Sequence, residues 1–103
     1  GPDAKLDDYI IDNWQIRDNL PSNRVNNLIQ AADGYLWLAT ANGLARFDGV
    51  RFTVYSKQMY SGLRSNYVFH VSEDKTGGLR IATQVGLTYF KDGKLTARSR
   101  KND

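Results

Sequence analysis

Nucleophilic chemistry is the first possibility to weigh, because the chain holds a single histidine, His70, and two serines in a recurring Ser-Asn pair, Ser22-Asn23 and Ser65-Asn66. A serine hydrolase needs its serine on a strained elbow, a histidine in hydrogen-bond reach and a carboxylate that orients that histidine. No GxSxG elbow occurs, and Ser65 repeats Ser22 at a distance of 43 residues, which marks it as scaffold. His70 occupies the repeat position of Asn27, where a structural or channel-lining role is expected. With one histidine and no cysteine, neither a thiolate nor a multi-histidine metal centre can be assembled. No catalytic residue, metal or cofactor is therefore assigned. Asp33, Asp48 and Asp92 each precede a glycine, where a carboxylate bonds the turn backbone and needs no acid–base role.

Binding chemistry is better represented. Arg24 and Tyr67 follow the two Ser-Asn pairs at equivalent positions and differ while their surroundings repeat, as ligand-facing residues on a fixed scaffold would. They are the candidate ligand-binding residues. Trp14 and Trp37 offer indole faces that suit a sugar ring, but Trp37 sits at a strand centre and Trp14 in an apolar run, so both read as packing residues. The stretch RFDGVRFTVY alternates basic and aromatic residues without the ordered motif of an RNA-binding module. As a hairpin its alternation puts apolar groups on one face, and no nucleic-acid partner is expected.

These residues are positioned by a repeat. LPSNRVNNLIQAADGYLWLATANGLARF, beginning at Leu20, and LRSNYVFHVSEDKTGGLRIATQVGLTYF, beginning at Leu63, are identical at 11 of 28 positions with a constant offset of 43. Such a period identifies a repeat architecture before any other reading. Each unit divides into four short apolar runs, 25–31, 36–41, 44–47 and 52–55 in the first, and 68–73, 79–83, 87–90 and 95–98 in the second. Asp-Gly and Asn-Gly pairs separate several of them, and such pairs tolerate the positive φ of tight hairpins. No run shows a sustained 3.6 period, so almost no helix is expected. Within one run Leu36, Leu38 and Thr40 face one side and Trp37 and Ala39 the other, so both faces of the sheet call for cover. Four-stranded antiparallel sheets of this length, apolar on both faces and repeated along the chain, are β-propeller blades, which need about 4–8 copies to close a ring. The expected fold is all-β: two blades with an N-terminal clasp strand, an incomplete propeller.

Composition agrees with this and excludes much else. Hydrophobic residues form 41% and charged residues 24% of the 103, ordinary globular usage and far from disorder. No apolar run is long enough to span a bilayer and none resembles a signal peptide, so no membrane contact is expected of this segment. The net charge of +3 is confined to the end: residues 1–90 carry nine Lys or Arg against nine Asp or Glu, and residues 91–103 carry five against two. A solvated tail explains it.

The motifs themselves resemble a known family. DNLPSNRVNNLIQAADGYLWLATANGLARFDGVRFTVY and GLRSNYVFHVSEDKTGGLRIATQVGLTYFKDGKL resemble the two-component regulator propeller repeat, with its GLxSNxV lead-in, DGxLWIGT centre and GLxRFDG close. In the first unit Asn19 replaces a glycine of the pattern and Ala39 another; in the second, Arg80 replaces the central tryptophan, Thr76 the aspartate and Tyr89 the arginine. The resemblance implies an extracytoplasmic, periplasmic sensor region of a bacterial membrane-bound hybrid histidine kinase or diguanylate cyclase. It also implies an unknown small ligand, with oligosaccharides sensed by some members. The segments expected are a tag remnant and leader at 1–8, a clasp strand at 9–19, blades at 20–62 and 63–99, and a tail at 100–103. Partners beyond the ligand would be further blades of a parent chain. A second expectation is that copies of this chain close a ring as a homo-oligomer, since two blades leave faces and edges open.

Overall fold

The structure, a computed structural model, describes residues 20–98. The clasp strand expected at 9–19, Trp14 within it, the leader and the tail lie outside the described residues. Among the described residues eight strands follow one another: β1 Val25–Gln30, β2 Leu36–Thr40, β3 Gly43–Phe47, β4 Phe52–Tyr55, β5 Val68–Glu73, β6 Leu79–Thr83, β7 Gly86–Lys91 and β8 Lys94–Arg98. A 3-10 turn, Ser61–Leu63, interrupts the connection between β4 and β5. The strands form two antiparallel four-stranded sheets, ordered β1-β2-β3-β4 and β5-β6-β7-β8. This is the all-β, two-blade architecture expected from the repeat.

Register follows the offset of 43 throughout. Val25 lies opposite Thr40 and Val68 opposite Thr83; Phe47 faces Phe52 and Phe90 faces Leu95. The first strand of each sheet carries an irregularity at the same place, between Val25 and Asn27 and between Val68 and His70. Turn chemistry is more varied than the dipeptides suggest. Asp92 (φ 52°) and Gly93 (φ 77°) are both left-handed, so they form the two-residue hairpin turn that an Asp-Gly pair favours. At Asn42-Gly43 only the glycine is left-handed (φ 119°) and it already pairs with Thr40, so the turn residues are Ala41 and Asn42. Asp48-Gly49 instead opens a longer loop, in which Asp48 Oδ1 accepts from the N–H groups of Val50 (2.8 Å) and Arg51 (2.9 Å). Asp92-Gly93 stands 44 residues after Asp48-Gly49, one more than the repeat offset, and the extra residue accommodates an added strand pair, Lys91 with Lys94.

Alternation within the strands builds the core. The first sheet turns Ala31, Trp37, Ala39, Leu44 and Tyr55 toward the second, which answers with Val68, Val71, Leu79 and Ile81, joined by Leu63 of the 3-10 turn. Leu44, Leu63, Val68, Val71 and Ile81 are completely buried there. Each such side chain contributes roughly 1.5–3 kcal/mol by leaving water. Trp37 centres an aromatic group, with Phe90 at 5.2 Å and Tyr55 at 5.6 Å between ring centroids. Its role is packing between the sheets. The other face of the first sheet is also apolar, with Leu28, Leu38, Ala45 and Phe47 buried. Side chains then stitch the joint: Asn27 Oδ1 accepts from Val71 N–H (2.8 Å) and its Nδ2 donates to Val71 C=O (3.0 Å), while Glu73 accepts from Ala32 N–H (3.0 Å).

Candidate ligand mouth

The two Ser-Asn pairs, the Ala41-Asn42 turn and the Gln84-Val85 turn share one end of the sheets, here termed the upper end. Identical local bonds fix both units. Ser22 Oγ accepts from Arg24 N–H and Ser65 Oγ from Tyr67 N–H, each at 3.1 Å. Arg24 C=O then accepts from Ala41 N–H (3.1 Å), and Tyr67 C=O from Gln84 N–H (3.0 Å). The backbone at each position is therefore tied on both sides, leaving only the side chain to vary.

Those side chains meet across the joint. The Arg24 guanidinium carbon lies 6.0 Å from the Tyr67 ring centroid, within cation–π range. Arg24 Nε also donates to Asn26 Oδ1 (3.3 Å), and Asn26 Nδ2 donates to Val68 C=O (2.8 Å), so the arginine is oriented by an amide anchored on the neighbouring sheet. Beyond Tyr67 stands Phe69, its ring centroid 4.9 Å from that of Tyr67 and half of its surface exposed at 49%. Asn66 locks the same corner: its C=O accepts from Gly43 N–H, its Oδ1 accepts from Lys57 N–H (2.8 Å) and its Nδ2 donates to Gln58 Oε1 (2.9 Å). Asn26 and Phe69 were not singled out from sequence. The available signal was their shared repeat position, where one unit has an amide and the other an exposed phenyl ring in a strand.

This arrangement can hold a molecule by stacking, charge and hydrogen bonding. Ser65 is buried and its hydroxyl oxygen is committed to the turn at Tyr67, while His70 is exposed on β5, opposite Ala82. The aspartates before glycine serve turns at the opposite, lower end: Asp33 Oδ1 accepts from Tyr35 N–H (3.0 Å), and the Arg51 and Val50 N–H groups hold the Asp48 carboxyl below the usual carboxylate range. Among the described residues no group of three or more His, Cys, Asp or Glu could hold a metal ion.

Comparison with known proteins bears on this geometry directly. Residues 19–42 match the family described as two component regulator propeller. The matched stretch of that propeller repeat runs through β1 and β2 and includes Arg24 and Asn26. The fold is also similar to the crystal structure of the extracellular domain of a hybrid two component system from B. thetaiotaomicron, with a TM-score of 0.72 and 23% identity over 82% of this chain. This chain spans 12% of that protein's length. No curated protein matches it. Both findings bear out the regulator-propeller resemblance read from the repeat, and the likeness of fold bears out the blade architecture. No helix among the described residues is long and apolar enough to cross a membrane.

Proposed function

We propose that this chain is a noncatalytic part of the periplasmic sensor propeller of a bacterial transmembrane signalling protein, and that its upper end forms part of the ligand mouth. One observation carries the reading: Arg24 and Tyr67, equivalent residues of successive repeats, converge across the sheet joint with Asn26 and the exposed ring of Phe69. The regulator-propeller match and the extracellular structural neighbour support the cellular setting. An oligosaccharide suits the site, since sugar rings present apolar faces to aromatic rings and hydroxyls to guanidinium and amide groups. A ligand bound to both sheets would favour one relative placement of them, and through further blades of the parent chain bias an output module.

The test is a titration of the 15N-labelled chain with a panel of neutral and acidic oligosaccharides. Amide shifts confined to residues 24, 26, 67 and 69, abolished by Tyr67→Ala, are expected. Shifts elsewhere, an absence of shifts with the entire panel, or sugar turnover dependent on His70 would overturn the proposal.

A further inference from the structure

Asn42-Gly43, in the turn between β2 and β3, is the one Asn-Gly pair of the chain. Such a pair can deamidate without an enzyme, because glycine has no side chain to keep its nitrogen from the preceding carboxamide. The turn demands the glycine: Gly43 has φ 119°, and Gly86 fills the same place in the second unit with φ 138°. It does not demand the asparagine, since Val85 stands there in the second unit. The local bonds of the two turns are the same. Thr40 Oγ1 accepts from Asn42 N–H (3.1 Å) and donates to Gly43 C=O (2.7 Å), as Thr83 Oγ1 accepts from Val85 N–H (3.2 Å) and donates to Gly86 C=O (2.8 Å). What sets the first turn apart lies outside it. Asn42 Nδ2 donates to Pro21 C=O (3.2 Å), tying down the lead-in of the first unit, and Gly43 N–H donates to Asn66 C=O across the joint.

Asn42 is exposed, so water and hydroxide reach its carboxamide. Reaction requires the Gly43 nitrogen to give its proton to hydroxide and attack Asn42 Cγ. The Cγ–Nδ2 bond then breaks, ammonia leaves with a proton from water, and another water opens the cyclic imide to aspartate or isoaspartate. The Asn66 carbonyl holds both the proton that must leave and the nitrogen that must turn, so attack waits for the joint to open locally. We propose that Asn42 is a modification site, a deamidation switch that the joint between the sheets keeps closed. Its product unties the lead-in: a carboxamide that donates becomes a carboxylate that only accepts, and it faces the Pro21 carbonyl oxygen. The switch does not depend on what the mouth binds.

Native and urea-unfolded chains are incubated in the same mildly alkaline buffer. Conversion is followed by peptide mass mapping, which reads the replacement of NH2 by OH and separates isoaspartate from aspartate. Asn42 should convert about tenfold or more slowly in the native chain than in the unfolded one. Val85→Asn builds a second Asn-Gly pair with the same local bonds, in a turn whose glycine N–H meets no carbonyl of another unit among the described residues. With each native rate taken relative to the unfolded rate at the same position, position 85 should convert severalfold faster than Asn42. Asn66→Ala removes the side chain that anchors the protecting carbonyl to Lys57 and Gln58, and should speed conversion of Asn42. Asn42→Asp stands for the product and should shift the amide signals of residues 20 and 22–24 of the 15N-labelled chain while leaving those of β5 to β8 in place. Equal rates in native and unfolded chains would overturn protection by the fold. Equal relative rates at positions 42 and 85 would place the protection in the turn and not in the joint. Should Asn66→Ala fail to fold, the comparison of those two positions within one molecule still decides. No conversion of Asn42 even in urea would remove the site, and unchanged lead-in amides in Asn42→Asp would remove the switch.

Discussion

Gly78 shows how one position in a repeat is rebuilt. Its equivalent in the first unit is Tyr35, whose ring lies beneath Arg46 with the guanidinium carbon 4.7 Å from its centroid. In the second unit Arg46 is replaced by Tyr89, and a Cβ on Gly78 would overlap the Tyr89 ring. The glycine therefore makes room for an aromatic ring that Arg98 covers at 4.5 Å and whose hydroxyl donates to Asp74. Gly78→Ala should cost about 1–3 kcal/mol by displacing a packed ring, measured as a lower urea midpoint; an unchanged midpoint would contradict the crowding. Asp74 itself gives a pH prediction. The Tyr89 hydroxyl, followed by Thr76 and the Gly78 N–H, holds its carboxyl well below the usual range. Its ordinary value is about 3.9, so the folded form loses its proton more readily than the unfolded chain. The resulting stability is complete above the unfolded value and is lost as pH falls through it toward the folded one. The gap in urea midpoint between wild type and Asp74→Asn should therefore be larger at pH 6 than at pH 3. A gap independent of pH would show that the carboxylate is not the source. Asp33, Asp48 and Asp92 were legible as turn residues because glycine follows them. Asp74 was not, because its bond from the Tyr89 hydroxyl, fifteen residues away, is made only by the fold.

The strands were legible because their information is local. Period-two alternation and turn dipeptides place all eight to within a residue at each end; at Lys91 and Lys94 that residue is added by the tight Asp92-Gly93 turn, which extends the pairing. The joint between sheets was less so. Alternation showed that Trp37 and Ala39 share a face, but nothing in β1 announces that Asn27 reaches a backbone 44 residues along the chain. The same limit applies to the mouth: its two variable residues stood out, whereas Asn26 acquires meaning only once β1 and β5 lie side by side. Asn27→Ala removes both a donor and an acceptor from the partly buried Val71 peptide groups and should destabilise the chain by about 1–3 kcal/mol. Trp37→Ala, which leaves a cavity against Tyr55 and Phe90, should cost more, about 3–5 kcal/mol. Urea unfolding of both variants tests the ranking. A larger loss for Asn27→Ala would mean that polar stitching outweighs the aromatic core in holding the sheets together.

At the scale of the molecule, the two sheets are alike in backbone and unlike in what they offer next. The face that the first sheet turns to the second includes Ile29, Trp37 and Tyr55. On the corresponding face of the second sheet, which points away from the joint, those positions are Ser72, Arg80 and Arg98, with His70 in place of Asn27. A neighbour seated as the second sheet sits on the first would meet guanidinium groups in place of an indole and a phenol ring. Burying unpaired cations is costly, so an apolar neighbour is disfavoured there. Restoring the first sheet's residues by Ser72→Ile, Arg80→Trp and Arg98→Tyr together should expose an apolar face where wild type has a hydrated one, and such faces associate. In sedimentation velocity the triple variant should form larger species than wild type at equal concentration and bind more of an apolar dye. If copies of this chain instead close a ring through that face, wild type should already be associated, and the triple substitution should weaken the assembly by removing the polar contacts it uses.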